Sequence, residues 1–248
     1  MDCRHGVLAL GDSITNGGGE LQWGVALQSW ALWVARGLGL PFTTYAVDGA
    51  VARDVRHEQV PAFLARSAHA DARYDVGCLY VGVNDVRRLE WDPAAFAADH
   101  AAILDVLAAR CDRVLLVTLP LDLGRPRAAG VIEANAVIEA AARERGALVL
   151  DLRGFGARNL VMADHVHPTA FGQVWIAERA LGVLAADGMP VRVAPSTLIR
   201  PAAGTRKQRL QGDWTYVYRR LKEQSRVVRD AAGQARRAAR AASGRTGS

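Results

Sequence analysis

Residues 8–15 read LALGDSIT, and this stretch decides how the remainder of the chain is interpreted. It continues an apolar run that starts at Val7 and has the length and composition of a buried β-strand. Gly11 ends the run and begins a polar turn, so that Ser13 follows the strand directly. Ligands of open α/β sheets bind in the crevice outside the carboxyl ends of the strands. Ser13 is therefore a candidate nucleophile, and this hypothesis requires a base and oxyanion donors elsewhere in the chain.

Apolar runs and amphipathic stretches alternate through the first 190 residues. The predicted strands are Val7–Leu10, Phe42–Val47, Val76–Val81, Arg113–Leu119 and Ala147–Leu150. The predicted helices are Ser29–Leu38, Val51–Ala65, Pro93–Ala109, Val131–Arg145 and Ala170–Ala186. Asp92 before Pro93 has the pairing expected at a helix start. Apolar strands that alternate with helices indicate parallel βαβ units, and hence a doubly wound α/β domain with a five-stranded parallel sheet.

Charge is distributed unevenly along the chain. Residues 200–248 hold 13 Lys and Arg against 3 Asp and Glu, a net charge of +10, whereas the first 199 residues hold 18 against 22, a net charge of −4. We therefore divide the chain into a globular domain over residues 1–190, a linker over 191–212, a basic amphipathic helix over 213–242 and a disordered tail over 243–248.

The basic segment carries an apolar stripe at helical spacing. Its members are Trp214, Val217, Tyr218, Leu221 and Val228. Such a helix packs on its own domain or on a second copy of the chain, or it lies on an anionic membrane surface. We do not expect a nucleic acid partner, because stacking aromatics and known binding modules are missing.

Two further features bear on localisation. No stretch has the length of a transmembrane span, and no secretory signal precedes the first strand. The three cysteines, Cys3, Cys78 and Cys111, are widely spaced and odd in number, which suggests reduced thiols that pack as small apolar residues. We therefore expect a cytoplasmic protein, peripheral to the membrane if the basic helix binds there.

Two other strand ends carry candidate oxyanion donors. Residues 46–50 read AVDGA, where Gly49 lets the backbone approach a ligand and offer its N–H. Residues 79–85 read LYVGVND, where the Asn84 amide can donate and the Asp85 carboxylate can only accept. Ordinary turn formation would also explain both stretches.

Residues 162–168 read MADHVHP, just before the last predicted helix of the domain. Asp164 and His167 are three positions apart, so that one helical turn would place both side chains on the same face. The carboxylate could then accept from His167 Nδ1 and leave Nε2 directed toward Ser13. His165 should point elsewhere. Asp12, next to Ser13, should cap the turn rather than transfer protons.

These stretches resemble the consecutive sequence blocks of the SGNH hydrolases, also called GDSL esterases and lipases. The blocks are Gly11-Asp12-Ser13-Ile14, Gly49, Gly82-Val83-Asn84-Asp85 and Asp164-His165-Val166-His167-Pro168, and their order and spacing fit over residues 6–186. The resemblance implies a flavodoxin-like, three-layer α/β/α sandwich and hydrolysis of esters or thioesters without a metal or other cofactor. The basic tail has no counterpart in the minimal family fold.

The resemblance also implies a role for each site residue. Ser13 would be the nucleophile, His167 the base and Asp164 the group that orients the imidazole. The backbone N–H groups of Ser13 and Gly49 and the Asn84 side chain would form the oxyanion hole.

We therefore interpret the chain as a serine esterase whose partner is a small-molecule ester. Two alternatives remain open at this point. The same triad could transfer an acyl group to a sugar or alcohol instead of water, or the protein could be a binding or adaptor protein that works through its basic helix.

Overall fold

Five parallel strands form the central sheet, in the order β2-β1-β3-β4-β5. They are β1 Val7–Gly11, β2 Phe42–Thr44, β3 Tyr74–Tyr80, β4 Cys111–Val117 and β5 Leu148–Leu150. Every residue of β1 is buried, because helices cover the sheet on both faces. This strand order is the flavodoxin-like one, in which the ligand crevice opens between the carboxyl ends of β1 and β3. The computed structural model describes residues 4–22, 24–66, 72–88, 90–123, 128–157, 159–201 and residue 217.

The helices occupy two layers. Their bounds are α1 Ser13–Asn16, α2 Trp30–Leu38, α3 Ala52–Asp54, α4 Val60–Arg66, α5 Val83–Arg87, α6 Pro93–Arg110, α7 Ala128–Arg145 and α8 Ala170–Ala186. A π-helical turn, Val55–Gln59, joins α3 to α4, and a 3₁₀ turn covers Pro195–Leu198. Helix α2 packs on α8, and α6 packs on α7. From β1 the chain moves toward one edge of the sheet, and from β3 it moves toward the other edge. Because each crossover is right-handed, these two helix pairs lie on opposite faces of the sheet.

All five predicted strands and all five predicted helices are present, with boundaries shifted by a few residues. Asp92 caps α6 as predicted, since its carboxylate accepts from Ala94 N–H and Ala95 N–H, both at 3.0 Å. The stretch predicted as one helix over Val51–Ala65 is interrupted by the π turn. The short helices α1 and α5 were not predicted, because four or five residues are too few to show a helical period.

Cys78 and Cys111 are unpaired and buried, as their interpretation as small apolar residues requires. Burial raises the pKa of Cys78, and it raises that of Cys111 to about 12. Neither thiol is therefore a thiolate near neutral pH. Cys3 lies outside the described residues.

The chain divides into two units, residues 1–203 and 204–248. Of the second unit the structure describes Val217 alone, whose side chain is exposed. The predicted basic helix over 213–242 and the predicted tail over 243–248 otherwise lie outside the described residues. Over the described part of the chain, no helix combines the length and the apolar character that a membrane crossing demands.

Candidate active site

Ser13 is the first residue of α1, immediately after the carboxyl end of β1. Asp12 is the N-cap of this helix, because its Oδ1 accepts from Ile14 N–H at 3.0 Å, which confirms the predicted capping role. The turn is tight. Gly11 has a φ of 150°, and a Cβ at this position would lie 2.3 Å from the carbonyl oxygen of Tyr80. The local backbone therefore presents the Ser13 side chain at the crevice between β1 and β3.

His167 faces Ser13 from the loop that leads into α8. Ser13 Oγ lies 2.9 Å from His167 Nε2, and His167 Nδ1 lies 2.7 Å from Asp164 Oδ2. The three side chains form one hydrogen-bonded chain. Nδ1–H donates to the carboxylate and leaves Nε2 as the acceptor for the serine hydroxyl, which is the tautomer that a general base requires.

The segment that carries Asp164 and His167 is a turn, and the helical turn expected from their spacing is wrong. Asp164 Oδ1 accepts from the backbone N–H groups of Val166 and His167, at 2.9 and 3.0 Å. One carboxylate oxygen thus closes the turn while the other holds the imidazole. Asp and His are brought together because Asp favours such side-chain-to-backbone turns.

The charged forms of Asp164 and His167 stabilise each other. The hydrogen bond with Asp164 raises the pKa of His167 above its ordinary value, against the effect of burial. Burial alone would raise the pKa of Asp164, but the hydrogen bonds from the His167 ring and the turn backbone outweigh it and hold that pKa below its ordinary value. The carboxylate is therefore ionised when the imidazole accepts a proton.

Gly49 lies in the turn that follows β2, and Asn84 lies in the first turn of α5, which follows β3. Gly49 adopts a φ of 78° and has open space where a Cβ would be, so conformation rather than crowding favours glycine there. The Asn84 side chain donates one N–H to the Ala50 carbonyl at 3.0 Å. This bond occupies one of the two N–H groups that a primary amide carries.

These loops are fixed to one another by side chains. Asn16 Nδ2 donates to Asp48 Oδ1 at 2.9 Å, which joins α1 to the Gly49 turn. Both oxygens of Asp85 accept from Ala52 N–H, at 3.1 and 3.2 Å, which joins α5 to the end of the same turn. Burial raises the pKa of Asp85 to about 6. The three loops that follow β1, β2 and β3 therefore form one connected edge of the sheet.

Asp12 supplies a second carboxyl group whose charge acts on the imidazole of His167. The side chain is almost fully buried, and its Oδ2 has no hydrogen-bond partner among the described residues. Burial raises the pKa of Asp12 to about 7, although the Ile14 N–H and the nearby His167 act in the opposite direction. Conversely, the charge of Asp12 adds to the increase in the pKa of His167.

His165 is turned away from Ser13, as predicted. Its Nδ1 lies 3.1 Å from Asp122 Oδ2, and its backbone has a φ of 59°, which is uncommon outside glycine. The left-handed conformation at His165 lets the chain reverse between Asp164 and His167.

The structure thus gathers all five predicted site residues at the carboxyl ends of β1, β2 and β3 and in the loop before α8. Sequence reasoning missed Gln59 and Gln173, two buried amides that hydrogen-bond to the backbone on either side of Ser13. The sequence feature that could have indicated either glutamine is a single polar side chain on a helix face that is otherwise apolar. Within the described ranges, no three His, Cys, Asp or Glu side chains converge as a metal site would require.

Comparison with known proteins gives a family and a fold. Residues 9–175 match the sequence model of the GDSL-like lipase/acylhydrolase family. No curated protein gives a significant match. The crystal structure of TesA is 23% identical, with a TM-score of 0.57, and the alignment covers 73% of this chain and 98% of that one.

Two other solved structures are similar. A variant of Axe2, an acetyl xylan esterase from Geobacillus stearothermophilus, is 18% identical with a TM-score of 0.59, over 76% of this chain and 97% of that one. LAE5, an alpha/beta hydrolase enzyme from the metagenome of Lake Arreo, Spain, is 18% identical with a TM-score of 0.58, over 73% and 94%. At these identities the likeness concerns the fold.

Proposed function

This chain belongs to the GDSL-like lipase/acylhydrolase family, the SGNH hydrolases, and we propose that it cleaves a carboxylic ester or thioester through an acyl-enzyme on Ser13. Membership of this family makes the chain a serine hydrolase that acts on esters. One observation carries the acyl-enzyme mechanism: the unbroken chain of hydrogen bonds from Ser13 Oγ through His167 to Asp164, with distances of 2.9 and 2.7 Å.

In the first half-reaction Ser13 Oγ attacks the acyl carbon while its proton passes to His167 Nε2. The negative charge that develops on the carbonyl oxygen is stabilised by the N–H groups of Ser13 and Gly49 and by the second N–H of Asn84. His167 then donates its proton to the departing alcohol or thiol as the bond to it breaks. The acyl group remains on Ser13 as an ester.

In the second half-reaction water replaces the leaving group. His167 takes a proton from the water, whose oxygen attacks the acyl carbon, and then returns the proton to Ser13 Oγ as the acid departs. Asp164 stays ionised throughout, because its low pKa favours the carboxylate that faces the imidazolium. The sequence of steps regenerates the free enzyme without a cofactor.

We further propose that the basic segment beyond residue 200 provides location or association rather than chemistry, and that the protein acts in the cytoplasm. All five site residues precede Pro168, and the charge changes sign along the chain, from a net of −4 over the first 199 residues to +10 over the last 49. A cation-rich amphipathic helix suits an anionic membrane surface or a second copy of the chain.

The direct test combines labelling with a substrate panel. A fluorophosphonate should modify Ser13 in the wild-type protein, as read by mass spectrometry of the digested product, and Ser13→Ala should remain unlabelled. Nitrophenyl esters of increasing acyl length, with and without sugar acceptors, should then give free acid as the main product. Labelling elsewhere would contradict the acyl-enzyme on Ser13, and an acylated sugar as the main product would make the enzyme an acyltransferase.

A further inference from the structure

The backbone of Gly11 is held by a buried side-chain amide. Gln59 Nε2 donates to the Gly11 carbonyl at 2.8 Å, and Gly11 N–H donates to Gln59 Oε1 at 3.0 Å. The paired register of β1 and β2 ends at Ala9. Gly11 N–H therefore finds its partner in Gln59 instead of in a backbone carbonyl of β2. The amide therefore takes the place of a neighbouring strand at Gly11, the residue that precedes Asp12 and Ser13.

The π turn is what brings Gln59 to this position. In this turn Val60 N–H donates to the Val55 carbonyl, five residues earlier, which widens the helix by one residue. Val55, Gln59 and Val60 are all buried. A polar side chain is thereby directed into an apolar layer, where its donor and its acceptor both meet the Gly11 backbone.

A second buried amide holds the backbone after Ser13. Gln173 Nε2 donates to the carbonyls of Ile14 and Gly18, at 3.0 and 3.1 Å, and its Oε1 accepts from Trp30 N–H at 2.8 Å. Gln173 has no exposed surface and lies on α8, the helix that follows the His167 loop. This side chain therefore connects the nucleophile helix directly to the helix that follows the base.

We propose that Gln59 and Gln173 are positioning residues that hold the backbone on both sides of Ser13, so that its Oγ stays within hydrogen-bond distance of His167 Nε2. This inference rests on the proposed acyl-enzyme mechanism. Neither glutamine touches the reacting atoms. Each acts through the backbone, Gln59 from the α3–α4 side of the sheet and Gln173 from α8.

The amide group suits this role because it offers a donor and an acceptor in one plane. Methionine has nearly the same shape but would leave Gly11 N–H buried without a partner and the Gly11 carbonyl with Val47 N–H alone, which favours displacement of the turn. A displacement of about 1 Å in reacting groups costs roughly 10²-fold in rate. Loss of either amide should therefore reduce kcat, whereas KM should change little.

The chain supplies a matched control in Asn135. Its side-chain amide binds both backbone groups of Leu119 in the same manner. It accepts from Leu119 N–H at 2.6 Å and donates to the Leu119 carbonyl at 2.9 Å. Asn135 is as buried as Gln59, but it lies on α7 and holds the chain after β4. Asn135→Leu should therefore reproduce the loss of stability without displacing Ser13.

The experiment compares Gln59→Met, Gln173→Met and Asn135→Leu with the wild type. Rates are measured at a temperature well below the lowest Tm of the four proteins. Three quantities are measured: Tm, the kcat and KM for a small nitrophenyl ester, and the rate of phosphonylation of Ser13 by a fluorophosphonate. We expect both glutamine variants to react roughly 10- to 100-fold more slowly at nearly unchanged KM. Asn135→Leu should keep wild-type rates despite a lower Tm.

Wild-type phosphonylation rates in the folded glutamine variants would overturn the inference, as would an equal loss of rate in Asn135→Leu. Failure of the wild type to be labelled at Ser13 would instead overturn the proposed mechanism, and the inference with it.

Gln59→Glu tests Gln59 by a route that does not depend on the methionine variant folding. The protonated carboxyl can donate to the Gly11 carbonyl and accept from its N–H, whereas the ionised carboxylate can only accept. The activity of Gln59→Glu relative to the wild type should therefore be high at low pH and fall as the pH rises. A ratio that does not change with pH would count against the role of Gln59.

Discussion

At the scale of single residues, the imidazole of His167 contacts one hydroxyl and one carboxylate, and the charge of a second carboxyl group, that of Asp12, also acts on it. Asp164 is held ionised by hydrogen bonds, whereas Asp12 is buried with one oxygen lacking a partner among the described residues. Both carboxylates favour the protonated imidazole. In the proposed mechanism this makes the base stronger than an isolated histidine, which would help it to take the serine proton.

Ser13→Ala and His167→Ala should each lower kcat by roughly 10⁴-fold or more, and the double variant should be little worse, because nucleophile and base act as a unit. His165→Ala is the matched control, since this neighbouring histidine bonds to Asp122 instead of Ser13. Steady-state kinetics on one nitrophenyl ester suffice. A larger loss for His165→Ala than for His167→Ala would reverse the assignment of the base.

Asn84→Ala should lower kcat by on the order of 10²–10³-fold with little change in KM, the usual effect of removing one oxyanion donor. Asn84 also donates to the Ala50 carbonyl, so thermal unfolding should be followed alongside the kinetics. If only KM rises, Asn84 binds the ground-state substrate and has no special role in the transition state.

The pH dependence of kcat/KM should report His167, because only the neutral imidazole can act as base. Activity should therefore rise with pH through a pKa above the ordinary histidine value. Asp12→Asn keeps an acceptor for Ile14 N–H but removes a carboxyl group whose charged form raises the pKa of His167, so the acidic limb should shift to lower pH. Asp48→Asn removes an exposed carboxylate as a control, and an equal shift there would exclude a specific role for Asp12.

At the scale of elements, helix α6 buries a histidine that must stay neutral. His100 is packed against Phe96, with ring centroids 5.5 Å apart, and burial together with the charge of Arg145 lowers its pKa to about 4. In the unfolded chain His100 binds a proton near pH 6.5, whereas in the folded chain it does so only near pH 4. Stability is therefore full above about pH 6.5 and falls as the pH drops from there to 4, by about 3 kcal/mol at most.

His100→Gln should make the stability less dependent on pH over this range, although a lower absolute stability is expected from the altered packing. Denaturant unfolding at several pH values between 4 and 7 measures the slope. His57→Gln is the control, because His57 is an exposed histidine. An unchanged slope in His100→Gln would mean that His100 does not couple protons to folding.

The arrangement of strands and helices also explains why the loops that carry the site residues are adjacent. The carboxyl ends of β1, β2 and β3 are adjacent in the sheet, and α8 returns to pack on α2 beside them. Gln173 and Thr169 mark this junction. Thr169 caps α8 through Gly172 N–H at 3.1 Å, and Ala170 N–H donates to the Glu20 carbonyl at 3.0 Å. The start of α8 is thereby joined to the loop that follows α1.

At the scale of the whole molecule, the chain consists of two units with opposite charge. All site residues belong to the first unit, so truncation after Pro201 should leave kcat for a small ester close to that of the wild type. Comparison of the full chain and the truncated protein by steady-state kinetics measures this. A truncated protein that folds but does not turn over the ester would mean that the basic segment completes the site.

The same pair of proteins tests the membrane hypothesis. Each Lys or Arg near an anionic surface contributes about 1 kcal/mol, and this attraction weakens as salt rises. The full chain should sediment with anionic vesicles at low salt and be released at high salt, whereas the truncated protein should stay in solution in both. Salt-independent self-association of the full chain would favour a second copy as the partner, because apolar contacts respond little to salt.

The sequence by itself determined the fold class and the residue types at the site. Hydrophobic periodicity is a local property, so all five strands and the long helices could be predicted, and Ser13, Gly49 and Asn84 followed from their positions after strands. The roles of these residues came from the resemblance to a family. The capping functions of Asp12 and Asp92 could also be predicted, because a cap depends on neighbours only two or three positions away.

Only the tertiary structure decided which distant groups meet. Ser13 and His167 are 154 positions apart, and the order of the sheet strands brings them to 2.9 Å. The Asp164 turn, the π turn and the buried amides of Gln59 and Gln173 were not visible in the pattern of residues. Each depends on hydrogen bonds to the backbone, which carries the same groups at nearly every position, so the partner is selected by three-dimensional proximity and burial rather than by residue type.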